Sequence, residues 1–514
     1  MLIESVNPGT GELVGKVEST EINTISKIVA EARNARSDWW GSSHTHRVRL
    51  IKELSRLLFE QKREIAELIS RENGKPVVEA YTSEIIPTLD LLNYFCRHSR
   101  SMLRWRRVKI GIPLLKTKRA FIAYEPYGVV AIISPWNYPL LLPLGQIIPA
   151  LLLGNSVVFK PSEYTPIVGE AISNLIWKAG VPRKVFNIVE GDGEVGAALV
   201  SSGVDKLFFT GSTLTGKKVS ELAAKSLTPV SLELGSKDAM IVLDDAHVES
   251  AASAAVWGAF MNAGQTCVSV ERCFVHASVY DRFVKSLREK VQDLRSGAGT
   301  NPDTDIGAMI HPKQFDVVRL HVDDAVRRGA EIMVGGKFDD RDSRFIPPTV
   351  LTDVTADSLL MTEETFGPVL PVVKFGSDKE AVALANSSRF GLSVSVWTGS
   401  RGRGLKIARN LQAGAAIVND VISYYGISDG VVGGVKESGN GRVHGRDGLL
   451  EMVYPKYYEI ERARRWKKPW WYKYDRNTLS FFESATDFLF SKRILGRVKG
   501  LLKLIPTFLR MRKI

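Results

Sequence analysis

The sequence predicts an α/β protein with two open sheets. Short segments rich in β-branched residues alternate with helical segments of about 10–15 residues, a pattern typical of parallel sheets built from strand–helix–strand units. One series of these segments lies before residue 235, and a second follows residue 267. The 514 residues are enough for two or three domains with their own hydrophobic cores. We therefore predict two α/β domains rather than one large sheet.

The first hundred residues are predicted to be mainly helical. Apolar residues recur at three- and four-residue spacing over 22–39 and 47–73, and Asn73-Gly74 is typical of a helix end. Strand character begins at 119–133. The pairs predicted after it are strand 157–159 with helix 166–180, strand 185–189 with helix 193–201, and strand 206–209 with helix 213–225.

The second series repeats the alternation without repeating the sequence. We find neither an internal sequence repeat nor a low-complexity segment. The predicted elements are strand 271–275, helix 278–294, helix 312–329, strand 331–334, strand 370–374, helix 378–385, strand 393–397 and helix 401–411.

The charge of the chain is concentrated at one end. Residues 462–514 contain 15 Lys and Arg against 3 Asp and Glu, which leaves 54 basic and 53 acidic residues in the rest of the chain. The body is therefore neutral and the tail is a separate cationic segment. A neutral body without a recognisable binding module argues against a nucleic-acid partner.

The cysteines indicate a reducing compartment. Cys96, Cys267 and Cys273 are too few and too unevenly spaced for a disulfide framework, and no cysteine or histidine cluster predicts a metal site. The first residues lack the basic and apolar regions of a secretion signal. We expect a cytoplasmic protein.

The tail is predicted to form amphipathic helices. Its apolar residues at helical spacing are Phe481, Phe482, Ala485, Phe488 and Leu489, and then Ile494, Leu495, Val498, Leu501, Leu502 and Ile505. Amphipathic aromatic residues among cations favour a membrane headgroup region, and the tail has Trp466, Trp470, Trp471, Tyr472 and Tyr474.

No tail stretch reaches 18 uninterrupted apolar residues, so we predict that the tail lies on a membrane instead of spanning it. An anionic inner membrane face is the predicted partner for residues 462–514. The alternative is that the apolar stripe packs on the body or on a second subunit.

A candidate nucleophile and a candidate base stand 34 positions apart. Cys267 ends the polar, small-residue segment Asn262–Cys267, and Glu233 lies in Leu232–Ser236. A thiolate and a carboxylate base are what a mechanism through a hydrolysed thioester needs. A lone cysteine is more often an inert buried thiol, but the polar neighbours are unusual for a plain core. We expect Gly264 to let the backbone approach a ligand.

Two segments have the character of nucleotide contacts. A strand, a glycine turn and a helix start follow one another in 206–216, where backbone N–H groups and the hydroxyl of Ser212 suit a phosphate. An ordinary N-cap explains the same residues. Lys160 and Glu163 follow a predicted strand end, where a carboxylate accepts from ribose hydroxyls and repels a 2′-phosphate, which favours NAD over NADP.

Two further segments offer an amide and a second carboxylate. Asn137 lies in a proline-stiffened aromatic turn, where its N–H₂ suits an oxyanion, although a turn-stabilising Asn is the commoner explanation. Glu364 and Phe366 precede a glycine–proline turn and suit a ribose and a nicotinamide ring.

Taken together, these segments resemble the NAD(P)-dependent aldehyde dehydrogenase superfamily from about residue 4 to residue 460. Some fatty-aldehyde members of this superfamily also carry C-terminal membrane extensions. The matching motifs, in order, are Pro135–Pro139, Lys160–Glu163, Phe209–Thr213, Leu232–Gly235, Gly264–Cys267, Glu364–Pro368 and Gly433–Gly439.

The resemblance implies roles at matching positions. Cys267 is implied as the nucleophile, Glu233 as the general base, and Asn137 with the Cys267 backbone N–H as the oxyanion hole. The cofactor NAD, or alternatively NADP, is implied to contact Trp136, Lys160, Ser162, Glu163, Gly211, Ser212, Leu234, Glu364 and Phe366. The substrate pocket is expected to include Leu141, Leu142, Thr266, Val268 and Tyr424.

The family fold implies a Rossmann-type cofactor domain, an α/β catalytic domain and a small β flap that bridges the subunits of a homodimer or homotetramer. We assign residues 1–105 and 124–235 to the cofactor domain and 236–439 to the catalytic domain. Residues 106–123 and 440–461 are expected to form the flap, and 462–514 the amphipathic tail.

Two positions depart from the family pattern. Ser236 stands where a second glycine is usual, and Val432 where a phenylalanine commonly precedes the late glycine pair. Neither removes a catalytic group, and we expect both to reshape the water channel or the substrate mouth.

The predicted substrate is a lipophilic aldehyde, long-chain or isoprenoid-type. An apolar substrate tunnel is favoured by three features. They are the predicted membrane location, the leucines at 140, 141, 142 and 144 with space left by Gly145, and Tyr424-Tyr425 near the expected mouth. One alternative is a dehydrogenase of a small polar semialdehyde, with a pocket cation. The other is a catalytically silent membrane scaffold, which the intact Cys267, Glu233 and Asn137 argue against.

Overall fold

The computed structural model describes residues 2–338, 344–465 and 467–511, with side chains described to residue 506. It forms two compact units, of which the larger holds residues up to 104 and 124–455. Its α-helices are α1 (Ile22–Gly41), α2 (His44–Glu60), α3 (Lys62–Asn73), α4 (Val77–Ala80), α5 (Ile86–Met102), α6 (Leu141–Leu152), α7 (Pro166–Lys178), α8 (Gly193–Ser201), α9 (Thr213–Ala224), α10 (Val248–Phe260), α11 (Tyr280–Gln292), α12 (Pro312–Arg327), α13 (Leu359–Thr362), α14 (Asp378–Asn386), α15 (Arg401–Ala408), α16 (Gly445–Leu450), α17 (Arg476–Phe490) and α18 (Ile494–Met511).

The strands form four separate sheets. They are β1 (Leu2–Val6), β2 (Leu13–Glu18), β3 (Arg106–Arg107), β4 (Lys118–Pro126), β5 (Val129–Ile133), β6 (Ser156–Lys160), β7 (Phe186–Ile188), β8 (Lys206–Thr210), β9 (Val230–Glu233), β10 (Ala239–Val242), β11 (Arg272–His276), β12 (Glu331–Val334), β13 (Thr349–Thr352), β14 (Val369–Phe375), β15 (Ser393–Trp397), β16 (Ala415–Val418) and β17 (Val453–Glu461).

The first large sheet is fully parallel, in the order β7-β6-β5-β8-β9. Its central strands are buried on both faces, as the near-continuous apolar runs of β5, β6 and β8 require. The second sheet has seven strands in the order β12-β13-β14-β11-β10-β15-β16, parallel except for the edge pair β12–β13. Two α/β sheets within the larger unit confirm the predicted fold class.

Several helices differ from the prediction for a visible reason. The segment predicted as one helix over 47–73 is two helices that change direction at Gln61, and Gly74 ends the second with a φ of 94°. The helix α6 has no exposed polar face, because all twelve of its residues are buried. The helices α5 and α10 were also not predicted.

The smaller unit holds residues 105–123 and 456–514. The strands β17, β4 and β3 lie side by side in one sheet, in which β3 pairs with β4 in antiparallel orientation. Lys118 pairs with Glu459, and the Trp105 ring stacks on the Tyr458 ring with the ring centres 5.0 Å apart. Residues 440–455, which we expected in the flap, belong to the larger unit.

The tail forms the two predicted helices, but their apolar faces differ. In α17, Phe481 and Ala485 are buried. Gly500 of α18 passes close to the α17 backbone, since a Cβ there would lie 2.4 Å from the Phe488 nitrogen. The exposed apolar residues of α18 are Ile494, Leu495, Val498, Leu501, Leu502 and Ile505.

Among the helices described, none combines the length and apolar character needed to cross a bilayer. Trp466, which we singled out in the tail, lies outside the described residues. Of the other tail aromatics, Trp471, Tyr472 and Tyr474 are more than half exposed.

Candidate active site

Two cavities meet at Cys267, which is the one described residue that lines both. The first, of about 370 Å³, is lined by Pro135, Trp136, Asn137, Thr210, Gly211, Ser212, Glu233, Leu234, Gly235, Cys267, His311, Gln314, Val317, Glu364 and Phe366. The second, of about 300 Å³, is lined by Thr82, Ser83, Pro87, Tyr138, Leu141, Leu142, Trp257, Met261, Thr266, Cys267, Val268, Ile422, Ser423, Tyr425 and Gly426.

Parallel strands bring the first cavity together. Residues 134–137 follow β5, residues 211–212 follow β8, and residues 234–235 follow β9, and these three strands are neighbours in one sheet. Because the carboxyl ends of parallel strands share one edge, motifs far apart in sequence meet there. The site therefore occupies the edge where α/β sheets bind ligands.

A left-handed turn carries the chain to Cys267. Asn262, Ala263 and Gly264 all have positive φ, of 54°, 54° and 73°. A Cβ on Gly264 would lie 2.2 Å from the carbonyl oxygen of Gly367, so this position has room only for glycine. We expected Gly264 to allow a ligand to approach. The structure corrects this, because the close neighbour is the Gly367 backbone.

The Cys267 thiol is neutral in this environment. Burial raises its pKa well above the ordinary value, and the carboxylates of Glu233, Asp238 and Glu364 raise it further. A neutral thiol attacks a carbonyl only if a base takes its proton, so the site needs a proton acceptor.

Ser236 contacts the backbone of Cys267 and lines neither cavity. Its hydroxyl donates to the backbone carbonyl of Cys267, and its backbone N–H donates to Glu364 at 2.8 Å. The side chain that replaces the usual glycine is thus part of the support of Cys267. Val432 is fully buried and pairs with Val443, so it lines neither cavity, contrary to our expectation of a role at the mouth.

Glu233 has the properties of a proton acceptor. The pKa of its carboxyl is raised to about 8, chiefly by burial; Arg442 lowers this pKa and Glu451 adds to the rise. One of its carboxylate oxygens, Oε1, has no hydrogen-bond partner among the described residues. A carboxylate with a pKa near neutrality and a free oxygen can take and return a proton at physiological pH.

The hydrogen bonds that hold Asn137 use only one of its two side-chain amide hydrogens. Its Nδ2 donates to the Gln265 carbonyl at 3.1 Å, and an amide nitrogen carries two hydrogens. Its backbone carbonyl accepts from Lys75 Nζ at 2.8 Å and from Asn262 Nδ2 at 3.1 Å. The remaining N–H is the group that can stabilise an oxyanion in the cavity.

The first cavity has features that suit a phosphate and an aromatic ring. It begins at the N-terminus of α9, where Ser212 caps the helix through its hydroxyl, which accepts from Thr215 N at 3.2 Å. The N-cap explanation thus holds for the Ser212 side chain, while the first N–H groups and the dipole of α9 suit a phosphate. At the other end, the Phe366 ring meets Trp136 edge-to-face at 5.5 Å, beside Cys267.

Six of the nine predicted cofactor residues line this cavity, namely Trp136, Gly211, Ser212, Leu234, Glu364 and Phe366. Lys160, Ser162 and Glu163 do not line it. They follow β6, which neighbours β5, and the Lys160 ammonium lies 3.7 Å from the Glu163 carboxylate.

The second cavity holds most of the predicted substrate residues. Leu141, Leu142, Thr266 and Val268 line it, whereas Tyr425 lines it in place of Tyr424. Leu140, Leu144 and Gly145 are core residues of α6 and its start, and do not line the cavity.

Some residues in and around the two cavities were not predicted from the sequence. Trp257 lies on the unpredicted helix α10, and Lys75 and Glu84 lie in a segment without a strand–turn motif. Lys75 and Glu84 are completely buried charges, and only the folded chain shows that. The one local feature at Lys75 is its place directly after the helix end at Asn73-Gly74, where the chain turns.

Comparison with known proteins identifies the family of this chain. Residues 1–458 match the model of the aldehyde dehydrogenase family. The chain is 38% identical to 4,4'-diapolycopene aldehyde oxidase of a Methylomonas species, covering 95% of this chain and 92% of that protein. It is 36% identical to a putative succinate-semialdehyde dehydrogenase [NADP(+)] of Mycobacterium ulcerans, covering 88% and 87%.

A solved structure shows the same architecture. The NAD-dependent aldehyde dehydrogenase from Sinorhizobium meliloti superposes with a TM-score of 0.87 at 35% identity, covering 92% of this chain and 93% of that one. The fold, the cavity pair around a cysteine and these similarities agree. The chain therefore belongs to the aldehyde dehydrogenase family and is an NAD(P)-dependent enzyme that oxidises aldehydes.

Proposed function

We propose that this enzyme oxidises apolar aldehydes through a thioester on Cys267, and that it works at the surface of an anionic membrane. The observation that carries the substrate class is the lining of the 300 Å³ cavity, in which none of the described residues bears a charge. The observation that carries the location is the exposed apolar face of α18.

The first half-reaction forms a carbon–sulfur bond. Cys267 Sγ attacks the carbonyl carbon while its proton passes to Glu233, whose raised pKa makes it the acceptor. The carbonyl oxygen becomes an oxyanion that accepts from Asn137 Nδ2 and from the Cys267 backbone N–H. The residues that line the 370 Å³ cavity, among them Ser212, Glu364 and Phe366, would hold NAD(P), which would supply the hydride acceptor. Loss of hydride from the thiohemiacetal carbon leaves a thioester on Cys267.

The second half-reaction hydrolyses the thioester. Glu233, after releasing its first proton to solvent, takes a proton from water, and the hydroxide oxygen attacks the thioester carbon. The carbon–sulfur bond then breaks, Sγ recovers the proton from Glu233, and the carboxylic acid leaves. Asn137 again donates to the oxyanion of the tetrahedral intermediate.

A charged substrate finds no cation among the described residues that line the second cavity, and the hydroxyls of Thr82, Ser83 and Ser423 already donate to protein oxygens. The carboxylate of a semialdehyde needs a cation or several donors when it leaves water. The lining offers instead the side chains of Leu141, Leu142, Trp257, Met261 and Ile422. The two relatives are named for diapolycopene aldehyde and for succinate semialdehyde, and the lining favours an aldehyde of the first kind.

We expect kcat/KM to rise with the chain length of saturated aldehydes. Each methylene that enters the cavity contributes about 0.8 kcal/mol, which is about a fourfold gain. Measuring NADH formation with propanal, octanal, tetradecanal and succinate semialdehyde checks this. Leu142→Lys is the matched variant, because it adds a cation to the same wall and is expected to shift preference toward the semialdehyde. A wild-type preference for propanal or for the semialdehyde contradicts the proposal.

The exposed face of α18 matches the surface of an anionic bilayer. At about 100° per residue, the six exposed apolar residues among the described side chains of α18 fall within about a third of the helix circumference. Three exposed cations of the helix, Arg497, Lys499 and Lys503, lie outside this arc, and the exposed Lys492 and Arg493 directly precede the helix. Each cation near such a surface contributes roughly 1 kcal/mol, and the apolar arc adds burial below the headgroups.

Membrane binding is expected to require both the apolar arc and the anionic lipid. We expect the full chain to sediment with vesicles containing phosphatidylserine and far less with phosphatidylcholine alone. Leu495→Asp/Leu502→Asp should abolish sedimentation, whereas Leu405→Asp, which alters another leucine that is more than half exposed, on α15, should not. Equal binding by both variants, or no binding by the wild type, rules the membrane proposal out.

A further inference from the structure

We infer that two buried lysine–glutamate pairs are positioning devices for separate halves of the site. Lys75–Glu84 holds the segment 134–141, called here the Asn137 loop, and Lys237–Glu271 holds 363–368, called here the Glu364 loop. The inference rests on the proposed roles of Asn137 and of the 370 Å³ cavity. All four charged side chains are at most 2% exposed.

The first pair holds the Asn137 loop at two points. Lys75 Nζ donates to Glu84 Oε1 and to the backbone carbonyl of Asn137, both at 2.8 Å, and lies 3.9 Å from the centre of the Tyr138 ring. The other oxygen of Glu84 accepts from the backbone N–H groups of Leu140 and Leu141, at 2.8 and 3.0 Å. One ion pair therefore ties the residue of the proposed oxyanion hole to the start of α6.

The second pair holds the Glu364 loop by its backbone. Lys237 Nζ donates to Glu271 Oε2 at 2.6 Å and to the hydroxyl of Thr365 at 3.0 Å. The Glu271 carboxylate accepts from Thr365 N at 2.8 Å and from Phe366 N at 2.9 Å. Phe366 has a φ of 50°, a left-handed conformation that a phenylalanine keeps only when its surroundings hold it.

The two ion pairs supply hydrogen-bond partners that the backbone groups of the two loops need. Apolar side chains of the same volume would fill the space, but they offer nothing to a backbone carbonyl or N–H, which would be left unpaired. Burying an ion pair is unfavourable unless hydrogen bonds satisfy it, and both pairs are satisfied by the loops they hold. The pairs share no residue and hold different loops, so their effects should separate.

Two properties of the full-length enzyme distinguish the two devices. One is the single-turnover rate of NADH formation at saturating NAD, which reports the acylation step. The other is the dissociation constant of NADH, measured by its fluorescence without substrate. We expect Lys75→Met and Glu84→Gln to lower the acylation rate by about 10–100-fold and to leave NADH affinity within about twofold. We expect Lys237→Met and Glu271→Gln to weaken NADH binding by about tenfold, with a smaller loss of acylation rate at saturation.

A purely structural role for the pairs predicts a different pattern. If all four variants change both quantities in parallel, or in proportion to their loss of thermal stability, the inference is overturned. Glu84→Gln and Glu271→Gln keep the side-chain volume and one acceptor oxygen, so they supply the comparison if a methionine variant fails to fold.

A double-mutant cycle separates this inference from the function on which it rests. If Lys75 acts through Asn137, then Asn137→Ala/Lys75→Met should be no slower than Asn137→Ala alone. If the two losses of acylation rate multiply in the double variant, the positioning role of Lys75 is overturned, while the proposed oxyanion role of Asn137 still stands. If Asn137→Ala alone leaves the acylation rate unchanged, the proposed oxyanion role has failed, and the first half of the inference fails with it.

Discussion

Cys267→Ala is expected to abolish aldehyde oxidation, lowering kcat by at least about 10⁴-fold, because no other group can form the thioester. Cys267 is the one described residue shared by the two cavities, so no neighbouring side chain reaches both substrate and cofactor from its position. NADH formation with the best aldehyde of the panel measures the loss. NADH affinity should stay within about twofold, because alanine leaves the rest of the cofactor cavity intact.

A matched thiol serves as the control for this variant. Cys96 is half-buried on α5, and its thiol lies 3.9 Å from the Val48 carbonyl, away from both cavities. Cys96→Ala should keep wild-type kcat. Residual activity above about 1% in Cys267→Ala, after contamination is excluded by mass spectrometry, would show that another nucleophile carries the reaction.

Glu233→Gln is expected to lower kcat by about 10²–10⁴-fold and to remove the pH dependence near pH 8. The carboxyl pKa is raised to about 8, chiefly by burial. A general base works in its deprotonated form, so the wild-type kcat/KM should rise with pH through about 8 and level off above it. Glutamine takes no proton, so the variant should be slow and flat over the same range. Initial rates from pH 6 to 9.5 at fixed ionic strength test this.

Glu364 provides an unusually close control. Burial raises the pKa of its carboxyl to about 8 as well, and it lines the same cavity. Glu364→Gln should weaken cofactor binding and still show the rise in kcat/KM near pH 8. If that rise disappears in Glu364→Gln and persists in Glu233→Gln, the base has been assigned to the wrong carboxylate.

The three proposed catalytic residues could be brought together from the sequence because each has a local signal. Cys267, Glu233 and Asn137 each lie in a short motif whose residues suit one chemical task, and all three line the first cavity. The same is true of Gly211-Ser212 at the start of α9, since a strand, a turn and a helix start can be recognised within ten residues.

Helix prediction from the sequence failed where burial is complete. The helices α1 and α7 keep exposed polar residues on one side, whereas every residue of α6 is buried, so α6 has no polar face to mark it as a helix. In the same segment, Leu141 and Leu142, which we predicted in the substrate pocket, line the second cavity. Leu140 and Leu144, which we also took as support for an apolar tunnel, are core residues that do not line it.

The tail illustrates the same limit. Its two apolar stripes look alike in sequence, yet Phe481 is buried in α17 while Ile494 and Leu502 of α18 are exposed. Spacing shows that a helix has an apolar face, but whether that face is covered depends on residues far away in the chain.

By itself, the sequence determined the fold class, the family, the three proposed catalytic groups and the separation of a neutral body from a cationic tail. Each of these can be recognised from neighbouring residues or from composition. The tertiary structure decided which leucines line the second cavity, that the Ser236 hydroxyl donates to the Cys267 carbonyl, that Gly264 makes room for Gly367, and that two buried ion pairs hold the loops beside the first cavity. The physical reason is that burial and pairing arise from contacts between distant segments. The sequence around Lys75 or Glu271 looks like ordinary solvated charge until the chain has folded around it.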